Sequence, residues 1–136
     1  MQLSTHLGFN GKCAEAFAFY EKLLGGKILM TMTYGESPMA AQFSRGEQSL
    51  VMHTTLAIGE YRLMGADAPG ERYKPQQGFA VSLDVQDEAE ADRIFDGLAK
   101  GGTVQMPIQK TFWAKRFGMV TDRFGTPWMV NCGNPT

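Results

Sequence analysis

The chain has little cysteine, almost no net charge and no long apolar run, and each shortage argues against a class of protein. It contains 2 cysteines among 136 residues, which are too few for a disulfide framework and match no zinc-ligand spacing. The formal net charge is -1 without any block of like charges, so no nucleic-acid partner is expected. No apolar run approaches the ~18 residues that span a bilayer, so we expect no membrane segment.

The composition and the N-terminal stretch are those of a compact domain without a leader segment. The N-terminal stretch MQLSTHLGFN lacks a basic region followed by an apolar one, so no secretion signal is predicted. We therefore expect a cytoplasmic protein in which Cys13 and Cys132 are reduced thiols, with a single bridge between them as the open alternative. The hydrophobic share of 43% and the charged share of 20% fit one domain over residues 1-136, or two small halves sharing a core.

Two segments of the sequence repeat each other, CAEAFAFYEKLLGGKIL and EAEADRIFDGLAKGGTV. Both place apolar residues at the i, i+3, i+4, i+7 spacing of one helical face. In the first copy these residues are Cys13, Ala16, Phe17, Tyr20, Leu23 and Leu24, and in the second they are Ala91, Ile94, Phe95 and Leu98. We expect Asn10 to cap the first helix and Asp87 with Glu90 to cap the second, while Gly25 and Gly101 end them.

Strand-like runs surround both helices. They are LSTHLGF, KILMTMTY, LVMHTTLAI and YRLMGA in the first half, and GFAVSLDV, TVQMPIQ, RFGMVT and PWMVNC in the second. Each half therefore predicts the order βαβββ, with module one at about 1-70 and module two at about 77-133. Residues 35–49 form a polar excursion in the first half, and loops of that length are often functional or mobile.

This repeated βαβββ order resembles the vicinal-oxygen-chelate superfamily of glyoxalase I, bleomycin-resistance proteins and extradiol dioxygenases. The segments YGESP, VMHTTLAIGEYRLMGADAP and TFWAKRFGMVTDRFGTPWMVN are similar to its PhnB-like branch, and the resemblance covers nearly the whole chain. It implies an α+β fold of two modules whose sheets curl around a central cleft, usually within a homodimer. Some PhnB-like sequences carry a 3-demethylubiquinone-9 3-methyltransferase label, but the paired glycines at 25-26 and 101-102 form no nucleotide-binding loop.

The resemblance also implies where a metal would be held, because metal-using members take one ligand from the first strand and one from the last strand of each module. These positions fall on Thr5, Met64, Phe79 and Met129. None suits zinc, nickel or manganese, which need about three nitrogen or oxygen ligands. We therefore expect no metal and no cofactor. His6 lies one residue beyond the first position, on the strand face opposite Leu7 and Phe9, and a one-residue slip would reverse that.

Further candidates each have a functional and a structural interpretation. His53, where the PhnB-like branch carries a histidine, could contact a ligand or act as a general base, or it could be a half-exposed strand histidine. Trp113, beside Lys115 and Arg116, could cover the cleft by stacking and anion contact, or lie in the core or a dimer interface. Glu36 could approach the cleft or be solvated.

Two residues near the C-terminus have structural interpretations only. We expect Trp128 to be buried in the core. Asp122 should cap a turn through backbone N–H groups, with Gly125 supplying a positive φ.

Three hypotheses follow for function. The leading one is a metal-free binder of a small, partly apolar molecule. The residues expected to line its cleft are Thr5, Met64, Phe79 and Met129. The expected polar or stacking contacts are His53, Trp113 and Arg116. The alternative is an enzyme of the same superfamily, of isomerase, lyase or dioxygenase type, that uses His6, His53 and Glu36 as an unconventional metal set or His53 as a metal-free base. The third is a structural or regulatory dimer whose cleft is filled by methionines, which could otherwise form an adaptable wall.

Overall fold

The computed structural model describes residues 1–68 and 70–133 and contains two compact units, Met1–Pro75 and Gln76–Thr136. In the first unit the elements are β1 (Thr5–Phe9), α1 (Cys13–Leu24), β2 (Lys27–Thr33), α2 (Arg45–Gln48), β3 (Val51–Ile58) and β4 (Tyr61–Asp67). The strand order in its sheet is β1-β4-β3-β2, with β1 parallel to β4 and the other pairs antiparallel.

The second unit repeats this arrangement. Its elements are β5 (Val81–Val85), α3 (Glu88–Ala99), β6 (Thr103–Gln109), β7 (Arg116–Thr121) and β8 (Pro127–Cys132). The strand order is β5-β8-β7-β6, with β5 parallel to β8. The α+β class and the two βαβββ modules predicted from the sequence are therefore confirmed. Within residues 1–68 and 70–133, none of the helices is long and apolar enough to cross a membrane.

Each long helix packs on one face of its own sheet through the residues that the periodicity indicated. In the first unit the Phe17 ring on α1 meets Phe9 of β1 edge to face, with centroids 6.1 Å apart. Phe17 also lies where a side chain at Gly65 of β4 would point. In the second unit Phe95 of α3 takes the same place above Gly118 of β7.

The cap predicted for α1 is wrong, because the backbone N–H groups at its start are bonded by a carboxylate distant in sequence and not by Asn10. Asp67, buried at the end of β4, accepts hydrogen bonds at Oδ1 from the backbone N–H groups of Gly11 (2.8 Å) and Cys13 (3.1 Å). Its Oδ2 accepts from the N–H of Val51 at 3.0 Å. One carboxylate therefore satisfies the start of α1 and ties it to β3 and β4.

The capping box predicted for α3 is also absent. Asp87 is the N-cap residue, but its side chain makes no capping hydrogen bond. Glu90 is used elsewhere, because its Oε1 lies 2.6 Å from Nη2 of Arg93. The predicted helix ends are confirmed, since Gly25 and Gly101 both have a φ of 72°, the left-handed region that glycine enters at low cost.

The C-terminal hairpin follows the prediction. Asp122 accepts at Oδ1 from the N–H groups of Phe124 (2.9 Å) and Thr126 (3.0 Å), and at Oδ2 from Nε1 of Trp128 (2.9 Å). Trp128 is buried, and Gly125 has a φ of 93°. The carboxylate therefore holds the turn and satisfies the buried indole together.

The two cysteines are buried free thiols. Burial raises the pKa of Cys13 and Cys132 above the ordinary thiol value. Both side chains should therefore be unreactive at neutral pH, because the thiolate is the nucleophile.

Candidate functional site

Each sheet has one face that carries its helix and one that is turned away from it, which we call the distal face. Side chains alternate between the two faces along a strand, and directly paired residues share a face. On the first sheet, Met64 of β4 pairs with His6 on one side and with Thr55 on the other. Thr55 in turn pairs with Met30, and His53 pairs with Met32. The distal face of this sheet therefore carries His6, Met30, Met32, His53, Thr55 and Met64. Two histidines and a hydroxyl thus lie among three thioethers.

The two histidines of the chain meet on this face. The rings of His6 and His53 stack, with centroids 6.1 Å apart and an interplanar angle of 26°. The Nε2 atom of His53 is 3.0 Å from Oγ1 of Thr55, two residues along β3, so the hydroxyl fixes the orientation of that ring. His6 is an exposed residue of β1, yet partial desolvation by its neighbours and, secondarily, the charge of His53 lower its pKa from the ordinary value of 6.5. His6 therefore favours the neutral imidazole at neutral pH.

A groove lies beside this pair within the first unit. Its volume is about 540 Å³, and it is lined by Gln2, Leu3, Ser4, Thr55, Arg62 and Met64. That volume is within the range of ~300–1,000 Å³ typical of small-molecule sites. Thr55 joins the groove to the histidine pair, because it contacts His53 and lines the groove at the same time.

The register separates Thr5 from Met64, although both residues were expected to line the cleft. Thr5 pairs with Leu63, whereas Met64 pairs with His6. Thr5 therefore shares the helix-side face with buried Leu7 and Phe9, as the alternation along β1 requires. The residue beside Met64 on the distal face is the histidine.

In the second unit, too, the residue beside the methionine differs from the expected one. Phe79 precedes β5 and is 44% exposed, and the β5 residue paired with Met129 is Ser82. Met129 also pairs with Met119 of β7. The distal face of the second sheet therefore carries Ser82, Met119 and Met129 together.

Arg116 is not on that distal face. It pairs with buried Cys132, and its Nε donates to Oδ1 of Asp92 on α3 at 2.8 Å. Its Nη2 donates to the carbonyl of Ile108 at 3.4 Å. The guanidinium thus ties β7 to the helix side of its own unit, contrary to the expected ligand contact.

Trp113 lies on the segment before β7. Its ring meets Phe112 and Phe117 edge to face, with centroids 4.7 and 5.2 Å away. Phe117 pairs with Asn131 and therefore lies on the distal face of the second sheet with Met129. Trp113 is 42% exposed, so this aromatic cluster keeps an accessible surface.

A second groove of about 460 Å³ lies at the ends of β5 and β8, and its lining is Asp84, Val85, Gln86, Lys115, Asn131 and Gly133. Nδ2 of Asn131 donates to Oδ1 of Asp84 at 2.7 Å. This bond uses one N–H of the amide and one oxygen of the carboxylate, so both groups keep further hydrogen-bonding capacity in this groove.

The metal set His6, His53 and Glu36 is not assembled. Glu36 accepts at Oε1 from the N–H and hydroxyl of Thr33, both at 2.9 Å, and caps the 3-10 turn Tyr34–Glu36. These hydrogen bonds lower the pKa of Glu36. In the described part of the chain, no three His, Cys, Asp or Glu side chains form a group that could hold a metal ion.

Sequence reasoning missed Thr55, Arg62 and Ser82. Thr55 could have been found as the hydroxyl two residues from His53 on the same strand face. Arg62 has the same relation to Met64, since both alternate onto one face of β4. Ser82 required the pairing of β5 with β8, which no local pattern contains.

Comparisons with known proteins agree with this architecture. Residues 5–130 match the family model of the Glyoxalase/Bleomycin resistance protein/Dioxygenase superfamily. Protein YjdN of Escherichia coli (strain K12) is 40% identical over an alignment 139 positions long, which covers 96% of this chain and 95% of YjdN.

Two solved structures are also similar. Protein PA1353 from Pseudomonas aeruginosa is 43% identical with a TM-score of 0.87, covering 98% of both chains. The PhnB protein from Bacillus cereus is 25% identical with a TM-score of 0.83, covering 98% of this chain and 100% of that one. The chain therefore belongs to the glyoxalase/bleomycin resistance protein/dioxygenase superfamily, and these relatives support its place in the PhnB-like branch.

Proposed function

We propose that this protein binds a small, partly apolar molecule on the distal face of its first sheet, without a resident metal ion. The observation that carries the proposal is the stacked pair of His6 and His53 among thioethers, beside a groove of about 540 Å³. Apolar contact supplies affinity in such sites, and a few fixed polar groups set orientation. The methionines add a polarizable wall that adapts to different ligand shapes.

The corrected register supports the metal-free part of the proposal. The four metal-ligand positions of the superfamily can be reassigned by taking Met64 and Met129 with their partners on the neighbouring strands. They are then His6 and Met64 in the first unit, and Ser82 and Met129 in the second. A divalent-metal site needs about three nitrogen or oxygen ligands, and only the imidazole is a good one. Elemental analysis of the protein, purified without chelators, should find no stoichiometric transition metal. One Ni, Zn, Mn or Fe per chain would overturn this part.

The binding part can be tested with N-phenyl-1-naphthylamine, a neutral fluorophore that brightens in apolar surroundings. We expect one molecule to bind per chain. Met64→Asp should weaken binding by roughly tenfold or more, because it places a carboxylate in the apolar wall. Met39→Asp is the matched control, since Met39 is 49% exposed and lies outside the groove. Equal affinity in all three proteins would rule out this face as the site.

A second candidate function is metal-free catalysis with His53 as a general base. The contact of Thr55 Oγ1 with His53 Nε2 at 3.0 Å favours it, because a catalytic imidazole needs an orienting partner. Once a substrate is known, His53→Ala should abolish its turnover and leave its binding largely intact. Equal loss of turnover and binding would indicate a binder only.

We also propose that the protein is a cytoplasmic homodimer, as the branch resemblance implies. The buried free thiols of Cys13 and Cys132 are compatible with a reducing compartment. Sedimentation equilibrium should give twice the mass of the 15.0 kDa chain, and a monomer at micromolar concentration would contradict this.

A further inference from the structure

Among the described residues that line the groove of the first unit, Arg62 is the one cationic side chain. It lies on β4 two residues before Met64, so the two side chains lie on the same face of the sheet, and both line the groove. Sequence analysis assigned no role to Arg62, and the histidine pair does not involve it. Arg62 therefore places a positive charge next to the apolar surface of Met64.

The guanidinium of Arg62 is held in place by backbone carbonyls instead of by an acid. Its Nη1 donates to the carbonyls of Gly59 at 3.3 Å and Tyr61 at 3.1 Å, both at the β3–β4 turn. Within residues 1–68 and 70–133, the ion pairs join Lys12 to Glu15, Arg93 to Glu90 and Arg116 to Asp92. Arg62 is in none of these pairs. An arginine has five N–H donors, and two carbonyl bonds leave several of them for a ligand.

The remaining lining of the groove suits the rest of an organic acid. Ser4 and Thr55 place hydroxyl groups in the same groove as Arg62, and these can donate to an oxyanion. Leu3 and Met64 provide apolar surface next to them. A guanidinium binds carboxylate, phosphonate or sulfonate oxygens in a two-point fork, which gives orientation as well as charge.

We infer that Arg62 is the charge-recognising residue of this groove, and that the bound molecule is a small organic acid with an apolar body. The acid group lies against Arg62 with Ser4 and Thr55, and the apolar part lies along Met64 toward the histidines. This inference rests on the proposed function, because it names the ligand class for the same site.

Two fluorophores that differ by one sulfonate group separate the inference from the proposed function. 8-Anilinonaphthalene-1-sulfonate is N-phenyl-1-naphthylamine with an added sulfonate group. The unmodified protein should bind the anion more tightly than the neutral probe. Arg62→Gln should weaken sulfonate binding by roughly tenfold, the scale of a lost charge-assisted hydrogen bond, and leave neutral-probe binding within twofold.

Two further variants control for net charge and for folding. Arg45→Gln removes a positive charge from α2, outside the groove, and should leave both affinities unchanged. Arg62→Lys keeps the positive charge but cannot make the two-point contact of a guanidinium. Its sulfonate affinity should therefore fall between those of Arg62→Gln and the unmodified protein. Arg62→Lys also keeps the test usable if the glutamine variant is poorly folded.

The outcomes are distinct. If both probes bind and Arg62→Gln weakens them equally or not at all, the organic-acid inference is wrong and the proposed apolar site stands. If neither probe binds the unmodified protein, both proposals fail. Competition then tests the head group: benzoate or phenylphosphonate should displace the sulfonate probe at lower concentration than neutral benzyl alcohol, and equal displacement by all three would overturn the inference.

Discussion

The rings of His6 and His53 stack with centroids 6.1 Å apart, although strand β4 lies between the strands that carry them. Each ring therefore reaches over β4 toward the other. The charge of His53 disfavours a proton on His6, because like charges repel at this distance. Burial acts in the same direction on His6.

The first prediction is that His6 titrates below 6.5, its ordinary pKa. Proton NMR of the imidazole resonances across pH 4.5–8 would measure it, with His6→Gln used for assignment. In His53→Gln the pKa of His6 should rise only in part, because removing the neighbouring charge leaves the larger cause, burial, in place. A pKa at or above 6.5 in the unmodified protein would show that neither desolvation nor the charge of His53 acts on His6 in solution.

The same shift gives stability a pH dependence. Because the folded chain holds the His6 proton less tightly than the unfolded chain, the unfolded state binds more protons below pH 6.5. The free energy of unfolding should therefore fall as pH is lowered through 6.5 and level off below the folded pKa. Urea denaturation at several pH values would measure this, and His6→Gln should show a shallower fall than the unmodified protein.

The second prediction concerns the buried carboxylate of Asp67. Asp67→Asn keeps the shape, but it replaces one accepting oxygen with an amide group that donates toward N–H groups. The free energy of unfolding should fall by about 2–4 kcal/mol, since hydrogen bonds to a charged acceptor are lost and a donor is left unsatisfied. Asp96→Asn on the exposed side of α3 is the control, with little expected change. Similar denaturant midpoints for the two variants would contradict the capping role.

The third prediction is that Gly65→Ala is costly. An added Cβ would lie 2.5 Å from Cε1 of Phe17, so α1 would have to move away from the sheet. Overpacking of this kind costs about 1–3 kcal/mol. Gly46→Ala, where nothing lies within 4 Å of the added carbon, should be neutral or slightly stabilising. Thermal unfolding would compare them, and equal melting temperatures would argue against the close packing of α1 on β4.

The fourth prediction concerns Arg116, which sequence reasoning expected at the ligand. Because its guanidinium pairs with Asp92, Arg116→Ala should lower the unfolding free energy by about 1 kcal/mol, the upper end for exposed ion pairs. Asp92→Asn should cost a similar amount, and the double variant should cost less than the two losses added together. Neither change should alter the affinity for N-phenyl-1-naphthylamine, and a loss of affinity in Arg116→Ala alone would restore Arg116 to the site.

Periodicity predicted most of the elements because helices and strands are governed by local spacing. The helical face from Cys13 to Leu24 and the strand Arg116–Thr121 both occur where the pattern placed them. The caps failed for a different reason. Asn10 is adjacent to α1 in sequence, but Asp67 reaches the helix start from β4, and no local pattern contains that contact.

What the sequence by itself determined is the set of elements, their order, and which side chains alternate together along each strand. Only the tertiary structure decided which strand residues lie side by side. Pairing of β1 with β4 sets His6 beside Met64 and sends Thr5 to the helix side. The physical reason is the two-residue period of a strand: a one-residue difference in register exchanges the faces of every side chain, and that register is set by packing between residues far apart in the chain.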